Sequence, residues 1–268
     1  MIFPVDSLDD PRISHYRGLK DRELARAGEL FIAEGDYVVR RLLASQYPTV
    51  SVLLSNRRVE QIVPLVPPGV PVYVGDDPMI RQILGFKFHT GVIAVGRRLP
   101  SPPLADIFDG RSGAMTLVVC PEVSNSDNMG SLIRVSAAFG ADAMILGERC
   151  HDPFWRQSIR VSMGTIFSMP LVRSADLLAD LAELRQRWGV QLVATVLADD
   201  AETLARAGRP ERIGLLFGNE AQGLDARHVA ACDRRVTIPM KLGTDSLNVS
   251  IAAALFLYHF TQERAPGG

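Results

Sequence analysis

Cysteine is scarce in this chain. Its three cysteines, Cys120, Cys150 and Cys232, lie far apart and form neither a metal-binding pair nor a redox spacing. A disulfide framework is thereby excluded, and buried free thiols in a reducing compartment are expected. The five histidines, His15, His89, His151, His228 and His259, show no metal-ligand spacing, so no metal is expected. No run reaches the roughly 18 to 20 apolar residues that a membrane span requires. The opening MIFPVDSLDDPR is acidic and lacks the apolar core of a signal peptide, so a cytoplasmic protein with no membrane association is expected. Charge of one sign is also lacking: 29 Lys and Arg face 30 Asp and Glu, for a net charge of −1. That balance argues neither for nor against nucleic acid, because a local basic face can coexist with a neutral total.

What is present is an ordinary globular composition, 47% hydrophobic and 22% charged over 268 residues, long enough for two domains. In the first hundred residues helical and strand patterns alternate. Helices are expected over Tyr16–Glu29, Asp36–Ala44, Val59–Leu65 and Pro78–Leu84, and strands over Leu30–Ala33, Val50–Leu54, Val70–Val74 and Val92–Val95. The proline- and glycine-rich PSPPLADIFDGRSG interrupts every periodicity, which places a linker at 99–113 between an N-terminal domain, 1–98, and a C-terminal one, 114–268. Beyond it strands are expected over Thr116–Cys120, Ala143–Leu146, Leu192–Leu197 and Ile213–Phe217, and helices over Leu132–Phe139 and Ala175–Trp188. These strands are apolar without alternation, the mark of burial on both faces, so a mainly parallel sheet flanked by helices is expected.

Ligands of open parallel sheets bind beyond the carboxyl ends of the strands. Three glycine-containing segments occupy that position. NSDNMGSLIRVSAAFG, from Asn125, offers Asn128 and, about a turn and a half on, Arg134; a helix cap and a surface arginine are the bland alternative. GNEAQGL, from Gly218, places Glu220 in an otherwise neutral loop whose glycines allow close approach to the backbone; an acid favoured by a helix N-terminus is the alternative. IPMKLGTDSLNVS, from Ile238, brings Ser246 and Asn248 to the first turn of a long apolar helix, where capping alone would explain them.

Taken together, NMGSLIRVSAAFG, LLFGNEAQGL and IPMKLGTDSLNVSIAAAL closely resemble the three ordered motifs of the SpoU (TrmH-like) branch of the SPOUT RNA methyltransferases, over Met115 to Phe260. DPFWRQSIRVSMGTIF is similar to that family's segment between motifs one and two, and FIAEGDYVVRRLL to the entry of a ribosomal-protein-like (L30e-like) substrate-binding domain. The resemblance implies an α/β C-terminal domain with a trefoil-knotted parallel sheet, a smaller N-terminal α/β domain, homodimers with the active site at the subunit interface, and methyl transfer from S-adenosylmethionine to a ribose 2′-hydroxyl of ribosomal or transfer RNA. It implies a catalytic group of Arg134, Asn128, Glu220, Ser246 and Asn248. The cofactor pocket it implies is built from Leu216, Phe217, Gly218, Asn219, Ile238, Met240 and Leu247. Arg40, Arg41, Lys87 and Arg160 are candidate RNA contacts. One departure is visible: Ala221 stands where motif two commonly has glycine, and modest loop adjustment is expected. The alternative is a non-catalytic RNA-binding or ribosome-assembly protein that retains the fold.

Overall fold

The computed structural model describes residues 1–17, 29–85, 89–242 and 246–261. The expected helix over Tyr16–Glu29 falls mostly on 18–28, and that part of it, with Lys87, lies outside the described residues. The chain forms two compact units, one of Met1–Pro100 with Pro153–Phe167, the other of Ser101–Asp152 with Ser168–Gly268.

The first unit opens with β1 (Ile2–Pro4), β2 (Leu30–Glu34), α1 (Asp36–Leu43), β3 (Thr49–Ser55), α2 (Val59–Ile62), β4 (Val72–Gly75), α3 (Asp77–Leu84) and β5 (Val92–Arg97). Its sheet runs β1-β4-β3-β5-β2, with β3 parallel to β4 and antiparallel to β5. Ile32, Leu53, Ile80 and Ile93 fill its core. The Tyr16 hydroxyl, buried there, satisfies itself on Ser51 Oγ at 2.7 Å.

The second unit begins with α4 (Leu104–Phe108), β6 (Met115–Cys120), α5 (Ser126–Ala138) and β7 (Ala143–Leu146). Helix α4 lies within the stretch whose prolines read as a linker; Pro103 is its N-cap, and Leu104, Ile107 and Phe108 are buried in the core. The chain then contributes α6 (Arg156–Val161) to the first unit. There Arg156 Nη1 meets Glu34 Oε2 at 2.7 Å, and Phe154 and Phe167 pack against Phe31 with centroids 5.3 Å away.

Returning, the chain adds β8 (Leu171–Arg173), α7 (Leu177–Trp188), β9 (Gln191–Thr195), β10 (Glu202–Thr203), β11 (Arg212–Leu216), α8 (Ala226–Ala230), β12 (Arg234–Thr237) and α9 (Val249–Thr261). The seven strands pair in the order β10-β12-β9-β11-β6-β7-β8, and every pairing is parallel. All six residues of β6 are buried, as a strand covered on both faces requires. Trp188 stacks on Phe108 at 4.8 Å and donates its indole N–H to Asp109. Because the strands share one direction, the loops leaving β6, β9, β11 and β12 gather at one edge.

Candidate functional site

Four residues at the start of α5 could cap it, and Asn125 does so. Its Oδ1 accepts from the backbone N–H of Asp127 (2.7 Å) and Asn128 (3.2 Å). The bland alternative, in which Asn128 caps this helix, is therefore set aside, and the Asn128 side chain is free for tertiary contacts. Its Nδ2 donates to Glu220 Oε1 at 2.9 Å, while its Oδ1 accepts from Asn248 Nδ2 at 2.9 Å. Asn248 Oδ1 in turn accepts from the N–H and hydroxyl of Ser250 at 2.9 and 2.6 Å, so Asn248 caps α9 and reaches α5 with the same side chain. Ser124 Oγ closes the other end, donating to Glu220 Oε2 at 3.2 Å.

The direction of this chain follows from one group. An ionised carboxylate can only accept, so Asn128 must turn its amide N–H toward Glu220 and its carbonyl toward Asn248. Each amide then keeps a second N–H for another partner. Burial pushes the Glu220 carboxyl up, but the N–H of Asn128, its own backbone N–H and Ser124 outweigh it, and the pKa lies below the ordinary 4.5. Glu220 is the anion at neutral pH.

Beside this chain lies a cavity of about 720 Å³, whose lining includes Phe217, Gly218, Asn219, Glu220, Ile238, Met240, Ser246, Leu247 and Asn248, together with residues 195–198 and 221–224, Arg235 and Phe256. The lining combines apolar Phe217, Ile238, Met240 and Leu247 with the amides of Asn219 and Asn248 and the Glu220 carboxylate. Residues 219–223 form a tight hairpin in which Asn219 and Gly223 exchange backbone hydrogen bonds at 2.9 Å. The hairpin folds back so closely that a Cβ on Gly218 would sit 2.2 Å from the carbonyl carbon of Gly223. Only glycine fits there. Ala221 needs no left-handed backbone and donates its N–H to Asn219 Oδ1 at 2.9 Å, so the departure from motif two is absorbed without strain.

Asn128, Glu220, Ser246 and Asn248 thus converge with Phe217, Gly218, Asn219, Ile238, Met240 and Leu247. Leu216 does not line the cavity; its side chain belongs to the core, and its carbonyl accepts from Thr195 Oγ1 at 2.7 Å. Arg134 stands on the exposed face of α5, about 120° round the helix from Asn128 at ~100° per residue. Among the described residues its guanidinium makes no hydrogen bond or ion pair. Arg40, Arg41 and Arg160 lie in the first unit. Arg40 pairs with Asp36 at 3.0 Å, Arg41 donates to the Met163 carbonyl at 2.7 Å, and Arg160 is exposed.

Sequence reasoning missed Ser124 and Ser250, which brace the chain from both ends, and Arg235, which lines the cavity and pairs with Asp200 at 2.7 Å. For Ser124 and Arg235 local sequence carried no signal, since their partners lie 96 and 35 residues away; Ser250 was within reach of local reading, because its partner Asn248 stands two residues before it. Among the described residues no cluster of three or more His, Cys, Asp or Glu could hold a metal, and no helix is long and apolar enough to cross a membrane.

Comparison with known proteins agrees with this geometry. Residues 115–258 match the model of the SpoU rRNA Methylase family. An uncharacterized tRNA/rRNA methyltransferase of Mycobacterium bovis is 38% identical over 95% of this chain and 90% of its own length. The 23S rRNA (guanosine-2′-O-)-methyltransferase RlmB of Ralstonia nicotianae is 33% identical over 74% of this chain and 79% of its own. The crystal structure of an AdoMet-bound rRNA methyltransferase from Sinorhizobium meliloti superposes with a TM-score of 0.85 at 27% identity, covering 98% of each chain. With its motif residues assembled at the carboxyl edge of a seven-stranded parallel sheet, this chain is a member of the SpoU rRNA methylase family.

Proposed function

We propose that this protein is an S-adenosylmethionine-dependent RNA methyltransferase that modifies a ribose 2′-hydroxyl of ribosomal or transfer RNA in the cytoplasm. The observation that carries the reading is the directed chain Ser250–Asn248–Asn128–Glu220–Ser124, whose Asn248 and Glu220 line a cavity of about 720 Å³. That volume is within the usual range for small-ligand pockets, ~300–1,000 Å³.

The cavity fits the cofactor in chemistry as well as size. Phe217, Ile238, Met240 and Leu247 offer apolar surface for an adenine, and Gly218 lets a ligand meet bare backbone. When bound, S-adenosylmethionine supplies a sulfonium methyl group. The chain's own residues then bind and orient: the spare N–H groups of Asn128 and Asn248 hold ribose oxygens, and Glu220 keeps both amides in register. Arg134 holds the phosphate beside the acceptor and polarises its hydroxyl; a guanidinium is too weak an acid to serve readily as proton acceptor.

The first unit acts as the RNA-binding domain, with Arg40, Arg41, Lys87 and Arg160 as contacts to phosphate. The protein works as a homodimer, supported by Ile251, Leu255 and Tyr258, which expose an apolar stripe on α9. The C-terminal unit carries the trefoil knot typical of the fold. Incubating the protein with total RNA and methyl-tritiated S-adenosylmethionine tests the reading. Label in ribose is expected, whereas RNA binding with no transfer would favour the non-catalytic alternative.

A further inference from the structure

The hairpin 219–223 hangs between two spaces. The large cavity lies on one side, and on the other a second cavity of about 180 Å³ is lined by Pro121, Glu122, Arg149, Asp225 and His228. Asn219, Gln222, Gly223 and Leu224 line both, so side-chain packing alone does not fix where this hairpin stands. A polar bracket crosses the rear. Asn219 Nδ2 donates to Glu122 Oε1 at 3.1 Å, and Glu122 Oε2 accepts from Arg149 Nε at 2.9 Å. Arg149 Nη2 reaches Asp225 Oδ2 at 3.3 Å, and Asp225 Oδ1 caps α8 by accepting from the His228 N–H at 3.1 Å. The bracket thereby joins the loops leaving β6, β7 and β11.

Asn219 is the hinge of this arrangement. Its Oδ1 is used inside the hairpin, accepting from the N–H groups of Ala221 and Gln222, and its Nδ2 is used outside, on Glu122. Glu220 is the next residue. We propose that Glu122 and Arg149 are positioning residues for the methyl-transfer site: by fixing Asn219 from behind, they set the direction in which Glu220 presents its carboxylate to Asn128. This inference rests on the methyltransferase reading for its kinetic consequence but not for its structural one. Arg149 and Glu122 keep 53% and 26% of their side-chain surface exposed. Such pairs contribute little to global stability, so their loss should register in the site rather than in the melting temperature.

The test uses the full chain with Glu122→Ala, Glu122→Gln and Arg149→Ala. Amide hydrogen exchange at Asn219 and Gly223 is measured without ligand, and KM for S-adenosylmethionine, KM for RNA and kcat are measured with it. Glu122→Ala is expected to speed exchange at both amides and to raise the cofactor KM, each roughly 10-fold, leaving the RNA KM unchanged. Glu122→Gln should recover most of this because its amide oxygen still accepts from Asn219, and Arg149→Ala should fall between. Wild-type exchange in Glu122→Ala, or in Arg149→Ala if the former fails to fold, overturns the proposal. So does a Glu122→Gln variant as impaired as Glu122→Ala. A wild-type protein without transferase activity but with the expected exchange changes would refute the enzymatic reading and leave the bracket standing.

Discussion

At the scale of single residues, the site is organised by the charge state of Glu220. Because its pKa is held below the ordinary 4.5, its hydrogen bonds stabilise the folded site above that value, and the contribution is lost as pH falls through the lowered folded-state pKa. Cofactor affinity should therefore show no Glu220 titration above 4.5 and should fall below it. Glu220→Gln should remove that acid limb and lower affinity throughout, because a side-chain amide can donate as well as accept and no longer dictates which way Asn128 turns. Calorimetric titration with S-adenosylmethionine across pH checks both statements. Arg134 belongs to a different class: exposed and away from the cavity lining, it should matter to transfer and not to cofactor binding. Arg134→Ala is expected to lower kcat by roughly 100- to 1,000-fold, as loss of a charge-stabilising donor does, with the cofactor dissociation constant nearly unchanged; parallel loss of both would contradict the role given to it.

Among the elements, what the sequence disclosed depended on how far apart the partners lie. The unbroken apolar run of β6 announced a strand buried on both faces, and it is buried throughout. The start of α5 was ambiguous because Asn125, Ser126, Asp127 and Asn128 all suit a cap; only Glu220, 92 residues away, separates the capping asparagine from the one that reaches into the site. Strands β1, β8, β10 and β12 carry two to four residues each, too few for a period to show. Polar β12 becomes a strand because it sits between β9 and β10. The motif loops were legible as loops, but the cavity wall at Thr195–Ala198 was not, since nothing local to β9 marks it as neighbour to β11 and β12. Gly218 shows the same dependence on distant closure. Its replacement by alanine places a methyl 2.2 Å from backbone carbon, and backbone cannot step aside as a flexible side chain can. Gly218→Ala should open the hairpin and weaken S-adenosylmethionine binding at least ~10-fold with the sheet intact, read by calorimetry beside far-ultraviolet circular dichroism. Unchanged affinity would mean that the hairpin does not hold the ligand.

For the whole molecule, α9 decides how much of the protein is one chain. Val249, Ala253, Phe256, Leu257 and Phe260 are buried on one side, and α9 packs against α5. The opposite side should be polar in a monomer, yet Ile251, Leu255 and Tyr258, spaced four and three residues apart, are 53%, 43% and 53% exposed. Scattered apolar residues on a surface carry no message, but three large ones aligned on a single helix face are what a second copy would cover. Two-fold pairing is the commonest way for identical chains to do so, each stripe meeting its own image. A charge placed at the centre of the stripe would then be buried twice over, opposite or near its copy, without a partner. Leu255→Arg is therefore expected to give particles of half the wild-type mass in sedimentation velocity, with each chain still folded because Leu255 lies outside the buried core. If transfer requires both copies, kcat should fall with the fraction of dimer and recover as protein concentration rises. A wild-type protein that sediments as a monomer, or a Leu255→Arg variant that keeps the wild-type mass, would remove α9 as the dimer face.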